Sequence, residues 1–191
     1  FPSSSYLPLE STSGLFFDAG TRRFCFFNSN GFAYRTEDFD TPEASGGPTW
    51  ESVAIPFGAE QFCVDPYSPA YLGTGDEIHG WLSVVDGEIY RVTDIFDTFG
   101  TALSHSFPSD AGSGGETTVE TSLISSGWVI ASKANYGASV GTRMAFTTNG
   151  GGLWTNVLLD ADVNGAAGAI DRNAIFMSPV TDGLAYVLAR T

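Results

Sequence analysis

Phe146-Thr147-Thr148-Asn149-Gly150-Gly151-Gly152-Leu153-Trp154 is the stretch on which the fold turns. A strand-prone run passes into a short polar side chain, then into glycines, then into an aromatic residue. The polar side chain accepts hydrogen bonds from its own turn, glycine permits a positive φ, and the aromatic buries itself under the hairpin. Two earlier stretches share this order. Tyr34-Arg35-Thr36-Glu37-Asp38 leads, after the insertion Phe39–Pro48, to Thr49-Trp50, and Tyr90-Arg91-Val92-Thr93-Asp94 leads to Asp97-Thr98-Phe99. Taking Thr36, Thr93 and Thr148 as anchors, the repeat has a period of 57 and then 55 residues. That suits a four-stranded propeller blade plus a loop.

The rest of the chain agrees with a β architecture. Strand signals fall at Arg23–Phe27, Gly31–Thr36, Trp50–Ile55, Gln61–Val64, Ala70–Gly73, Gly87–Thr93, Ala102–Phe107, Trp128–Lys133, Arg143–Thr147, Trp154–Leu159, Ala174–Met177 and Leu184–Leu188. They are short and separated by Gly, Pro, Asn, Asp and Ser, and no long stretch keeps helical periodicity. The expected fold is all-β: propeller blades of four-stranded antiparallel sheets in an incomplete ring of about three blades. The blades fall near residues 15–60, 61–115 and 116–165, with the start of a fourth at 166–191. Because propellers usually close with four to eight blades, the 1–191 segment is expected to belong to a larger ring, completed by further blades or by other chains.

These repeats resemble the Asp-box, or bacterial neuraminidase repeat, Ser/Thr-x-Asp-x-Gly-x-Thr-Trp. The residues that carry the resemblance are Thr36, Asp38 and Trp50; Thr93, Asp94 and Phe99; and Thr148, Asn149, Gly151 and Trp154. In families with this box it lies between outer blade strands, away from any active site, so the resemblance implies a structural role. Trp128–Lys133 followed by a loop and Arg143–Gly151 looks most like a blade of a sortilin-type sorting receptor. Phe62-Cys63-Val64-Asp65-Pro66 followed by Tyr71-Leu72-Gly73-Thr74 is similar to the generic first strands of such blades. The cysteine-rich module that follows sortilin-type propellers has no counterpart here.

Composition narrows the partners. The 22 acidic and 8 basic residues give a net charge of -14, and Lys133 is the single lysine. Such a surface repels phosphate backbones and anionic lipid, which disfavours nucleic acid and membrane surfaces. No segment is apolar enough to cross a bilayer. The start, Phe1-Pro2-Ser3-Ser4-Ser5, has no initiator Met, so the chain is expected to begin after processing or inside a longer protein. Cys25 and Cys63 lie in strand-like aromatic runs outside any Cys-x-x-Cys pattern, and both a disulfide and two buried thiols fit them.

Catalytic patterns are sparse. Arg35 and Arg91 recur at one place in the repeat, which suggests structural pairing with nearby acids rather than convergence on a substrate carboxylate. The Phe/Tyr-Arg-Ile-Pro sequence of sialidases is missing. His79 and His105 lack triad or metal partners and read as loop residues. Asp160, Asp162, Asn164, Ala166 and Asp171 follow Ca²⁺-loop spacing with Gly165 at the sharp turn, though a polar turn after a strand would look the same. Ca²⁺ is therefore the one cofactor the sequence offers. Tyr67, Tyr71 and Tyr136 are candidate ligand-stacking aromatics, with packing between blades as the competing role.

The functional expectation is a non-catalytic extracellular or secretory-pathway module that recognises protein, peptide or glycan. A fragment of a sialidase-like or xyloglucanase-like glycosidase is the alternative. A surface or filament component is the third option.

Overall fold

A computed structural model describes residues 12–18, 23–28, 30–85, 87–107, 117–133, 143–158 and 172–190. The first sheet contains β1 (Thr12–Asp18), β2 (Arg23–Asn28), β3 (Phe32–Thr36) and β4 (Glu51–Ala54). The second contains β5 (Ala59–Val64), β6 (Gly80–Val84), β7 (Glu88–Thr93) and β8 (Gly100–Ser106). The third contains β9 (Thr117–Thr121), β10 (Val129–Lys133), β11 (Arg143–Thr147) and β12 (Thr155–Leu158). A two-stranded sheet follows, formed by β13 (Arg172–Met177) and β14 (Ala185–Arg190). Within each sheet every strand pairs antiparallel with its sequence neighbour, giving up-and-down meanders.

β1 lies against β5, β5 against β9, and β9 against β13. First strands standing side by side while later strands fan outward is the arrangement of propeller blades. The protein is thus all-β with propeller-like four-stranded blades, and no closed barrel forms among the described residues.

Strand alternation divides each sheet into a near face, toward the sheet before it, and a far face, toward the sheet after it. Cys25, Phe27 and Ala33 on the far face of the first sheet pack with Leu82, Val92 and Phe99 of the second. Trp81 and Ile89 on the far face of the second pack with Val119, Val129, Ala131 and Ala145 of the third. The apolar cores are therefore layers between blades. Polar bonds join the inner strands as well. The Thr117 N–H donates to Glu60 Oε2 (2.5 Å), the Val119 N–H to Gln61 Oε1 (3.2 Å), and Thr121 Oγ1 to the Val64 carbonyl (3.0 Å). Side chains of β5 thereby satisfy backbone donors on the open edge of β9, which would otherwise invite foreign strands.

One expectation needs correction. Ala70–Gly73 is not a strand, because Pro69–Leu72 forms a one-turn helix, α1. Pro69 opens it with its fixed φ, and Gly73 closes it at φ 67 with its N–H bonded to the Pro69 carbonyl. Of the two states that fit Cys25 and Cys63, the structure has the free thiols. Cys25 lies in the layer between the first and second sheets, whereas Cys63 packs into the layer beyond. The second sheet stands between them, so no bond can form.

β1, β6 and β9 were not foreseen. β6 (Gly-Trp-Leu-Ser-Val) is buried along its whole length, so it shows no polar alternation. Its Gly80 is required by packing, since a Cβ there would run into the Phe62 ring and come within 2.6 Å of the Cys63 carbonyl oxygen.

Candidate functional site: an acidic cleft between the first two blades

The turns after β3, β7 and β11 build one end of the molecule. In the third sheet, Thr147 Oγ1 donates to Asn149 Oδ1 (2.8 Å) and accepts from the Asn149 and Gly151 N–H groups (3.4 and 3.2 Å). Asn149 Oδ1 also accepts from the Leu153 N–H (3.0 Å). The first sheet repeats this pattern. Thr36 Oγ1 donates to Asp38 Oδ1 (2.5 Å), and Asp38 Oδ1 accepts from the Thr49 N–H (2.8 Å). The bridge spans 11 residues in the first sheet and 4 in the third, so the insertion is looped out without disturbing its ends. The Thr36 hydroxyl and the Thr49 N–H hold the Asp38 carboxyl below its usual range.

These bonds change the alignment of the repeats. The structural anchor of the third turn is Thr147, not Thr148, which is exposed. In the second, the equivalent buried position is Val92, and Thr93 faces outward, bonding the Gly100 carbonyl at 3.3 Å. Alternation explains the slip, because neighbouring residues at a strand end point to opposite faces. The terminal aromatics then fall into line. Phe99 packs 5.8 Å from Phe27 of the sheet before it, and Trp154 packs 5.9 Å from Trp81 of the sheet before it. Gly151, at φ +90, passes so close to Trp81 that a Cβ would come within 2.7 Å of its ring.

The second turn lacks the threonine hydroxyl, and its carboxylate is released from turn duty. Asp94 adopts φ 47; its N–H donates to His79 Nδ1 (3.1 Å) and its carbonyl accepts from the Phe99 N–H (2.9 Å). The Asp94 carboxyl instead lines a cleft of about 550 Å³ with Arg23, Glu37, Asp76, Glu77, Phe96 and Asp97. An adjoining hollow of about 600 Å³ shares Glu37, Phe96 and Asp97. Burial pushes the Asp94 carboxyl above its usual range, and Asp97 and Glu77 add to the shift, against His79 and Arg23. The Arg23 guanidinium lies 4.5 Å over the Phe96 ring. Among the described residues, the cleft thus gathers five carboxylates around one arginine that rests on an aromatic face.

Arg35 and Arg91 both turn to the far face, as their shared place in the repeat suggested. Arg35 pairs with Glu51 (2.8 Å) and donates to the Ile95 carbonyl of the next sheet (3.2 Å). Arg91 pairs with Asp65 (2.9 Å) and lies 4.8 Å over Trp81. His105 is a β8 residue rather than a loop residue, stacked 5.0 Å from Trp154. His79 directly precedes β6 and reaches Glu77 at 3.3 Å.

Tyr67 and Tyr71 both lie in the β5–β6 connection that also supplies Asp76 and Glu77, with Tyr71 on α1. Tyr136 and the whole loop of Asp160, Asp162, Asn164, Ala166 and Asp171 lie outside the described residues. Among the described residues no group of three or more His, Cys, Asp or Glu is arranged to hold a metal ion, and no helix is long and apolar enough to cross a membrane.

Sequence reading missed Arg23, Glu37, Asp76, Glu77, Phe96 and Asp97 as a group. They come from four separate segments, and only strand pairing brings those to one end. No protein-family model matches the chain, and comparison with curated proteins gives no match.

Proposed function

We propose that this chain is a non-catalytic β-propeller module of the extracellular space or secretory-pathway lumen, part of a larger ring, whose acidic cleft takes a basic segment of a protein or peptide ligand. The observation that carries this reading is that, among the described residues, five carboxylates and one arginine line the cleft between the first and second sheets. Charge of one sign concentrated in a cleft attracts the opposite charge and speeds its arrival. Burial first, and Asp97 and Glu77 next, raise the Asp94 carboxyl above its usual range, and a lysine or arginine entering the cleft would offset the negative charge of those neighbours. The likeness of the Thr36–Asp38 and Thr147–Asn149 turns to the Asp-box supports the propeller part of the reading. Arg35 and Arg91 bind acids of their own sheets, which lends nothing to a glycosidase that must gather arginines around its substrate.

Titration calorimetry with a Lys/Arg-rich peptide, its Glu-substituted counterpart and a panel of neutral glycans tests the reading. The basic peptide is expected to bind, with affinity falling as salt rises. Asp94→Asn combined with Asp97→Asn is expected to weaken it about tenfold, roughly 1.4 kcal/mol. Equal binding of the basic and acidic peptides, or indifference to the double substitution, overturns the cleft as the site. Turnover in a fluorogenic glycosidase panel would replace the module with an enzyme.

A further inference from the structure

We propose that the binding site extends beyond the acidic cleft along a row of apolar loop tips at the inner-strand ends, and takes an extended peptide with Lys or Arg at one end and large apolar side chains after it. The inference rests on the reading of the cleft as a site for a basic segment, and it adds what the rest of that segment carries.

In the second, third and two-stranded sheets, the connection after the inner strand holds a buried serine. Ser122 Oγ accepts from the Ile124 and Ser125 N–H groups (3.2 and 3.0 Å), and Ser178 Oγ accepts from the Val180 and Thr181 N–H groups (3.3 and 2.9 Å). Ser68, at the matching place in the second sheet, accepts from the His79 N–H (2.8 Å) and directly precedes α1. These bonds come from serine and backbone, so the turns do not need apolar side chains to form. The residues that follow each serine are nevertheless apolar and open to solvent. Tyr71 and Leu72 are 45% and 56% exposed, Leu123 and Ile124 are 61% and 39% exposed, and Val180 is 84% exposed. Large apolar side chains gathered at one exposed end mark a contact surface.

The row is continuous with the cleft. β5, β9 and β13 lie side by side, and Thr121 Oγ1 at the end of β9 donates to the Val64 carbonyl at the end of β5 (3.0 Å). The Ala70 N–H on α1 donates to the carbonyl of Glu77, a cleft residue (3.1 Å). Ser125 Oγ donates to Asp182 Oδ1 (2.5 Å), which ties the connection of the third sheet to that of the two-stranded sheet. The Trp128 ring lies against Gly183, 3.2 Å from where a Cβ would stand. The tips are thus fixed relative to one another before a ligand arrives, which lowers the cost of binding.

Charge selects the occupant. The connections 65–79, 122–128 and 178–184 contain no lysine or arginine. Asp76 and Glu77 stand at the cleft end of the row, and Asp182 at the other. An apolar row framed by carboxylates repels anionic lipid and suits a cationic chain with apolar side chains. Sheets stack about 10 Å apart and an extended chain rises about 3.3 Å per residue, so apolar side chains at roughly every third position would meet successive tips.

Fluorescence anisotropy with labelled peptides of about nine residues tests this. The first peptide has a pair of arginines followed by leucines at roughly every third position. The second has serines for the leucines, and the third has glutamates for the arginines. On the parent chain the arginine–leucine peptide is expected to bind at least about tenfold more tightly than either of the others, a comparison that needs no variant to fold. Leu123→Ser and Val180→Ser, at exposed tips, are expected to keep the parent's melting curve. Each is expected to weaken the arginine–leucine peptide about fivefold and to leave the arginine–serine peptide unchanged. Equal binding of the arginine–leucine and arginine–serine peptides, or indifference to both substitutions, overturns the row and leaves the cleft reading standing. Leucine-dependent binding that ignores both the arginines and Asp94→Asn with Asp97→Asn overturns the two together, as does no binding of any peptide. Binding to phosphatidylcholine vesicles that is lost in Leu123→Ser, in place of peptide binding, makes the row a lipid surface and overturns the proposal.

Discussion

The indole N–H of Trp154 donates to Ser104 Oγ at 3.1 Å, tying the turn of the third sheet to the outermost strand of the second. Trp154 also meets Trp81 edge-on and stacks on His105. A residue that the repeat pattern presents as part of a local turn is thus also a joint between blades.

Ser104→Ala is expected to cost about 1–2 kcal/mol in urea unfolding, because it leaves a half-buried indole donor unpaired. Trp154→Phe loses the same bond together with ring surface. The double variant is expected to be less destabilised than the sum of the two, since both remove one shared bond. Strict additivity would show that the bond contributes nothing.

Thr147→Val keeps the shape of a buried side chain but removes a hydroxyl that serves Asn149 and the Gly151 N–H. We expect a loss of about 1–2 kcal/mol by chemical denaturation. Val92 shows that valine fits this slot only with a different turn around it. A variant as stable as the parent would mean that the glycine run closes the turn unaided.

His105 sets an acid-side limit on stability. Burial against Trp154 and Phe107 lowers its pKa from the ordinary 6.5, partly offset by Asn156. The folded state therefore disfavours the imidazolium. The stabilisation is complete above pH 6.5 and is lost as pH falls through that value toward the lower folded pKa. Melting temperature is expected to decline over this window in the parent and to decline less in His105→Phe. Parallel pH profiles would refute the assignment.

Neither thiol is expected to react in the native state. Burial pushes Cys25 up to about 12, opposed only by Arg35, and Cys63 is also raised, by burial first and then by Glu120 and Asp65. Ellman's reagent should therefore label two thiols after denaturation and close to none before it, with a melting temperature indifferent to reductant. A reductant-sensitive melt would restore the disulfide.

Much of the architecture was legible in the residues. Short aromatic runs, glycine-bounded turns and a period near 55 led to blades of four strands, because turn chemistry and strand alternation are local properties. Local reading also had a local error. Thr93 and Thr148 look like anchors by spacing, yet each lies one residue beyond the buried slot held by Val92 and Thr147. Only cross-strand pairing tells which of two neighbours points inward. β6 escaped because both of its faces are covered, leaving no alternation to detect.

The acidic cleft lay beyond the sequence altogether. Arg23, Glu37, Asp76, Glu77, Asp94 and Asp97 belong to four segments of ordinary polarity, and 22 acidic residues offer many such sets. The repeated turn, the antiparallel meander and the net charge are fixed along the chain, because each depends on neighbours in sequence. Which carboxylates crowd together, which cysteines are kept apart by a sheet, and which tryptophan finds a partner depend on how the blades lean on one another. Those are contacts between residues some 50 positions apart, and only the packed structure brings them together.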